Sequence, residues 1–171
     1  MKTKVILTLC LVFVLALAST AMAQLIAGSP EDKAFEKIVA ENNPDAKMTL
    51  LLDYEKQFPQ SKALSDVYIM QLTIYQQKND ATKVIDVGEK AIKIDGENLT
   101  ALLAVSRNYS LERKNLDRAI QYAQKAVDTV AKMRTLPTPP QYTSADQWKE
   151  YLEGMDSTAK SILAYAKALK P

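Results

Sequence analysis

Apolar residues recur at helical spacing along most of the chain, from about residue 30 to residue 169. Phe35, Ile38 and Val39 share one face of a first helix, because residues three and four apart lie on the same side of a helix. Residues 45–58 repeat this spacing as far as Pro59, which cannot continue a helix. The pattern therefore predicts a chain of short helices separated by turns.

Residues that start or end helices stand at the predicted junctions. Side chains of Ser, Asp and Asn suit the N-cap because they accept hydrogen bonds from the free N–H groups of the first turn. The predicted starts of the third to sixth helices are Ser61, Asp80, Asn98 (or Glu97) and Asn115. We expect Gly96 to follow the fourth helix in the left-handed conformation, which glycine adopts without steric cost. Local signals thus bound each predicted helix.

The stretch from residue 65 to residue 131 contains two helix-turn-helix units of almost equal length. Tyr75 and Tyr109 close the first helix of each unit and are 34 residues apart (109 − 75). Val84 and Ala119 occupy matching places on the return helices and are 35 residues apart (119 − 84). A period near 34 residues is typical of stacked helical hairpins.

These units resemble tetratricopeptide repeats, a family of helical hairpins with small and aromatic residues at fixed positions. The matching residues of the first unit are Tyr68, Leu72, Tyr75, Val84, Gly88, Ala91 and Gly96. Those of the second unit are Leu102, Ser106, Tyr109, Ala119, Ala123, Ala126 and Ala131. Leu72 is larger than the family prefers, and both closing prolines are missing. The resemblance implies an all-α fold, a short right-handed solenoid of antiparallel helix hairpins over residues 24–133.

The resemblance also implies a concave surface lined by the first helix of each hairpin. The positions that it selects are Asp66, Ile69, Thr73, Gln76, Gln77, Thr100, Leu103, Arg107 and Ser110. Such a surface suits an extended peptide that carries an acidic group, and the alternative is an ordinary solvated face. The paired Lys and Asn residues with which one subset of the family holds a terminal carboxylate are absent, so the sequence does not favour binding of chaperone tails.

Residues 134–143 interrupt the helical pattern, since Pro137, Pro139 and Pro140 favour an extended backbone. A stiff spacer and a docking peptide are both consistent with this segment, and we favour the spacer. One long helix is predicted for residues 144–171, where Ser144 and Gln147 form a capping box. Its apolar stripe follows a heptad pattern and consists of Trp148, Leu152, Met155, Ala159, Ile162, Ala166 and Leu169. This stripe predicts a helix that caps the array, with pairing to a second copy through residues 148–169 as the alternative.

Residues 1–23 have the organisation of a secretory signal peptide. Lys2 and Lys4 precede an apolar core, and Ala21-Met22-Ala23 offers the small residues that a signal peptidase needs. Cleavage after Ala23 would leave 148 residues (171 − 23). The alternative is an uncleaved membrane anchor, because the uncharged run over residues 5–27 is 23 residues long (27 − 5 + 1).

Composition narrows the possible functions of the mature chain. It contains no His and, once Cys10 leaves with the signal peptide, no Cys, so it lacks the commonest metal ligand and general base and cannot form a disulfide. The remaining 20 basic and 20 acidic residues balance, which disfavours binding to nucleic acid. The four glycines are scattered, and no phosphate-binding or dinucleotide-binding loop is present. No cofactor or metal site is predicted.

These observations predict a non-catalytic protein-binding or peptide-binding scaffold or adaptor that is exported to the periplasm or secreted. A membrane-anchored assembly scaffold is the alternative if the signal is retained. A hydrolase without histidine is a weaker one, because it would need paired carboxylates or a Lys beside a Ser in a cleft. The sequence does not name the partner, since a groove of variable side chains carries no general substrate label.

Overall fold

The computed structural model describes residues 25–139, 141–142 and 144–170, and these form seven α-helices without β-strands. The all-α class predicted from the sequence is therefore confirmed for this part of the chain. The helices are α1 (Pro30–Ala40), α2 (Pro44–Gln57), α3 (Leu64–Gln77), α4 (Ala81–Ile94), α5 (Leu99–Leu111), α6 (Leu116–Met133) and α7 (Ala145–Leu169).

Each helix packs against the next one along the chain, and α5 also packs against α3 and α7. The first five connections are short, so consecutive helices form antiparallel hairpins. Helix α7 also runs antiparallel to α6, because Lys170 at its end pairs with Asp117 at the start of α6. Helices α5 and α7 therefore run in the same direction. The described part of the connection between α6 and α7 contains no helix, in agreement with the proline-rich segment predicted there.

Most predicted helix starts agree with the capping contacts in the structure. Asp80 and Asn98 accept hydrogen bonds from the backbone N–H groups of Lys83 and Ala101 at 3.0 and 3.1 Å. The Ser144 hydroxyl likewise accepts one from the Gln147 N–H at 3.2 Å, which is the first half of the predicted capping box.

Two of these local predictions need correction. Ser61 lies before the helix start, where its hydroxyl accepts the Ala63 N–H within a turn, and Ala63 is the N-cap. Gly96 does not have a positive φ, because an extended residue, Asp95, ends α4. The predicted start at Asn115 is confirmed, since Asn115 is the N-cap of α6, with a φ of 46° and no side-chain capping bond.

The buried residues form three hydrophobic clusters along the series of helices. Phe35, Leu51 and Tyr54 are buried between the first helices, and Leu102, Val105 and Tyr109 lead into a second cluster that includes α7. The heptad stripe of α7 faces this second cluster, with four of its residues buried there: Trp148, Leu152, Ala159 and Ala166. These four residues are therefore covered by the same chain, while pairing with a second copy through residues 148–169 stays a prediction.

Polar contacts join positions 33 to 35 residues apart along the array. Two carboxylates, Glu55 and Glu89, accept phenol hydrogen bonds from the following hairpin, Glu55 from Tyr68 at 3.0 Å and Glu89 from Tyr122 at 2.8 Å. The pairs at this separation are Asp45–Lys78, Glu55–Lys90, Glu89–Tyr122 and Glu97–Lys132. Four polar contacts thus occur at sequence separations close to the 34-residue period of the sequence.

The predicted signal peptide lies outside the described residues. Among the helices that the structure does describe, each is too short or too polar to cross a bilayer.

Candidate functional site

The structure places the nine predicted groove residues on α3 and α5, with different degrees of exposure. Gln76, Gln77 and Arg107 are exposed, while the partly buried group consists of Asp66, Thr73, Thr100 and Leu103. Whether any of these residues binds a ligand stays a prediction.

Two of the nine are corrected by the structure. Ile69 is only 7% exposed and belongs to the core that joins the first two hairpins. Ser110 is fully buried, and its hydroxyl donates a hydrogen bond to the Ser106 carbonyl at 2.8 Å. Neither side chain is available to a ligand, because the helices pack on these faces more closely than the repeat pattern indicated.

Arg107 lies instead in an open cleft between α5 and α7. The cleft has a volume of about 360 Å³, which is at the lower end of the range for binding pockets, roughly 300–1,000 Å³. Its lining residues are Arg107 and Leu111 from α5 and Ser157, Thr158, Ser161, Ile162 and Tyr165 from α7. Five of these seven residues therefore belong to α7, the helix that the sequence predicted to cap the array. We call this feature the α5–α7 cleft.

The α5–α7 cleft has a polar end and an apolar end. Arg107 lies one helical turn before Leu111 on α5, and the hydroxyl residues precede Tyr165 on α7. Leu111 is 57% exposed and Tyr165 is 45% exposed, so two large apolar side chains face solvent close together. Arg107 forms no salt bridge within the described residues. The cleft can thus offer a cation, hydroxyl groups and apolar area to one ligand.

Sequence reasoning missed the α7 half of this cleft. One feature of the sequence did point to it. Tyr165 lies outside the heptad stripe, so it places a large aromatic side chain on the face of α7 that a capping helix should keep polar. The side-by-side placement of α5 and α7 was not readable from the sequence, because the connection between α6 and α7 departs from the 34-residue period.

Asp66, one of the predicted groove residues, lies in the first turn of α3, where the charge of Asp95 at the end of α4 acts on it. Burial raises the pKa of Asp66 to about 6, and the negative charge of Asp95 adds to the shift. Two carboxylates alone do not make a metal site, and the described residues contain no cluster of three or more potential ligands.

A shallower surface beside α7 brings Lys160 close to serine residues, as a His-free hydrolase would require. However, Lys160 Nζ contacts Asp156 Oδ2 at 2.7 Å, and the Ser161 hydroxyl donates to the Ser157 carbonyl at 2.8 Å. A nucleophile and its base need a hydrogen bond to each other, and these groups bond elsewhere.

The sequence contains two formal N-glycosylation sequons, Asn98-Leu99-Thr100 and Asn108-Tyr109-Ser110, which we expect to occur by chance because they lie at or within predicted helices. Asn98 uses its side-chain oxygen to cap α5, and Asn108 donates its amide to the Ala104 carbonyl at 2.8 Å. These contacts agree with the expectation that the two sequons occur by chance.

Comparisons with known proteins add no information on function beyond the geometry of the α5–α7 cleft. No protein-family model, curated protein or solved structure matches the chain.

Proposed function

We propose that this protein is a non-catalytic scaffold that binds a protein or peptide partner outside the cytoplasm. The α5–α7 cleft carries this proposal, because it is open to solvent and combines exposed apolar area with Arg107, which forms no salt bridge to the residues that the structure describes. On the neighbouring surface of α7, Lys160 binds Asp156 and Ser161 binds the Ser157 carbonyl, which favours binding over hydrolysis in this region.

We further propose that the array is built from tetratricopeptide-like repeats. The polar contacts at separations of 33 to 35 residues support this, as does the close approach of α4 and α5 at Gly88. In this arrangement α3, α5 and α7 would occupy equivalent places, and the groove would continue from α5 onto α7.

The alternative is a membrane-anchored assembly scaffold, which the uncharged run over residues 5–27 favours. Both candidates place the same binding surface outside the cytoplasm, and they differ only in how the N-terminus is processed.

Site-specific photocrosslinking in the producing cell tests the binding role. A photoreactive residue at Ser161 lies in the α5–α7 cleft, and one at Lys83 lies on the exposed surface of α4 as a matched control. We expect one defined crosslinked partner from position 161 and not from position 83. Crosslinking that is equal at both positions, or absent at position 161, would contradict a binding role for the cleft.

A further inference from the structure

We infer that the α5–α7 cleft binds an extended peptide segment with an acidic side chain two positions away from an apolar one. This inference rests on the proposed function and specifies its ligand. Three features of the cleft carry it: the isolated cation, the orientation of the hydroxyl groups, and the position of the apolar pair.

The charge distribution favours an acidic partner at this end of the molecule. Residues 24–98 contain nine basic and thirteen acidic side chains, whereas residues 99–171 contain eleven basic and seven acidic ones. The net charges are therefore −4 (9 − 13) and +4 (11 − 7), and all four arginines belong to the second part. Arg107 is the arginine in the cleft, and a guanidinium group binds a carboxylate with two parallel hydrogen bonds.

Two of the three hydroxyl groups that line the cleft, those of Thr158 and Ser161, are arranged to accept hydrogen bonds. Thr158 Oγ1 donates its proton to the Gly154 carbonyl at 2.9 Å, and Ser161 Oγ donates to the Ser157 carbonyl at 2.8 Å. Each hydroxyl has a single proton, so the oxygen that remains can only accept. Backbone N–H groups of an extended peptide supply the matching donors, whereas a second carboxylate beside these oxygens would be disfavoured.

The apolar end fixes the spacing of the two recognised side chains. Leu111 lies four residues after Arg107 on α5, about 6.0 Å along the helix axis at roughly 1.5 Å per residue. In an extended chain, side chains two positions apart point to the same side and are separated by roughly 6.6 Å. A peptide can therefore place its carboxylate at Arg107 and its apolar side chain between Leu111 and Tyr165. The cleft is too small for more than a few side chains.

Selection from a library of short random peptides displayed on phage, with the mature protein as bait, tests this inference. We expect enriched peptides to carry Asp or Glu two positions from a large apolar residue. Binding of these peptides should weaken by about tenfold or more in Arg107→Gln, because a charge-assisted hydrogen bond is lost. Selection on Arg107→Glu should instead enrich Lys or Arg at the same position. Lys83→Glu is the matched control for a reversed charge, and each variant must retain the helical circular dichroism of the wild type.

The outcomes separate this inference from the proposed function. Enriched peptides that bind wild type and Tyr165→Ala equally, or no enrichment at all, would overturn both. Peptides that require Tyr165 but lack an acidic residue, or that bind Arg107→Gln as tightly as wild type, would overturn the ligand class and leave the binding role intact.

Discussion

Gly88 is a residue at which α4 approaches α5 and α3 closely. A Cβ atom at this position would collide with Val105 Cγ2 and lie 3.3 Å from Leu72 Cδ1. The absence of a side chain at Gly88 therefore lets α4 contact both helices. Glycine destabilises a helix by about 1 kcal/mol relative to alanine. Glycine fits at this position because any larger residue would collide with Val105.

Gly88→Ala should destabilise the protein even though alanine favours helix formation. Overpacking costs roughly 1–3 kcal/mol, which exceeds the propensity gain of about 1 kcal/mol. We expect the free energy of unfolding in urea to fall by up to about 2 kcal/mol, the overpacking cost less the propensity gain, and Val105→Ala should restore part of it. Gly154→Ala is the control, because a Cβ there meets no atom within 4 Å and should be neutral or stabilising.

Asp66 should make stability depend on pH in the mildly acidic range. Its pKa in the folded protein is about 6, raised by burial and then by Asp95, and lies above the ordinary value of 3.8. The folded state therefore binds the proton more tightly than the unfolded state does, so the contribution of Asp66 is most favourable at low pH and is lost as the pH rises through 6.

We expect Asp66→Asn to raise the melting temperature more at pH 7.5 than at pH 5, since the buried negative charge is removed. Thermal unfolding at both pH values measures the difference. Asp86→Asn on the exposed surface of α4 is the control. An effect of Asp66→Asn that is independent of pH would contradict the raised pKa.

At the scale of the helices, Glu89 links α4 to both helices of the next hairpin. Its carboxylate accepts hydrogen bonds from Tyr109 and Tyr122 at 2.9 and 2.8 Å, and Arg118 lies 3.3 Å away. Burial raises the pKa of Tyr122 to about 12, and the hydrogen bond to Glu89 adds to this, so the phenol remains a donor at neutral pH.

Glu89→Gln should weaken the packing of α4 on α5 and α6. Hydrogen bonds to a charged group contribute about 1.5–3 kcal/mol when buried, and Glu89 is partly exposed, so we expect a loss of about 1–2 kcal/mol. A double-mutant cycle with Tyr122→Phe should show coupling between the two positions, whereas Glu36→Gln, exposed on α1, should have little effect. Additive effects of Glu89→Gln and Tyr122→Phe would argue against the contact.

Helix α7 is held by its buried stripe and by ion pairs at both ends of its contact with α6. Lys170 pairs with Asp117 near the start of α6, and Arg134 lies 3.4 Å from Asp156 at its end. Beyond this contact, Tyr142 and Tyr151 pack against Trp148 with ring centroids 4.8 and 5.4 Å away.

Ala159→Asp should release α7 from α5 and α6. Ala159 is fully buried, and an unpaired charge there costs several kcal/mol. Because Trp148 is the only tryptophan, its fluorescence should shift to longer wavelength as the start of the helix becomes exposed. Ala164→Asp makes the same change on the exposed face and should leave the emission unchanged. A buried Trp148 in Ala159→Asp would contradict the docking role of the stripe.

At the scale of the whole molecule, the net charge is negative in residues 24–98 and positive in residues 99–171, and the two cancel. The acidic first part and the basic second part give the molecule a dipole that would orient an approaching acidic partner towards the α5–α7 cleft. Raising the ionic strength should slow such an association, because screening acts on the long-range field before the contact forms.

Cleavage or retention of the predicted signal peptide distinguishes the two proposed functions, a released scaffold and a membrane-anchored one. We expect mass spectrometry of protein purified from the exporting cell to find Gln24 as the first residue, since the small residues before it suit signal peptidase. Ala23→Asp should block this cleavage and leave the chain in the membrane fraction. An intact N-terminus in the wild-type protein would support the anchored alternative.

The sequence by itself determined the helices and most of their ends. Caps such as Asp80, Asn98 and Ser144 act on N–H groups within three residues, so their effect depends little on the rest of the fold. The exceptions, Ser61 and Gly96, lie in the turns between helices, at Ser61 before the N-cap Ala63 and at Gly96 after the extended residue Asp95. The 34-residue period was also readable, because it repeats a local pattern.

Only the tertiary structure decided which positions face solvent and which meet across helices. Ile69 and Ser110 occupied plausible groove positions in the repeat pattern, yet packing between hairpins buries both. The α5–α7 cleft joins Arg107 to Tyr165 across an irregular connection, and no local spacing encodes that distance. Burial and clefts depend on how helices distant in sequence approach each other, whereas helix formation depends on residues three and four positions apart.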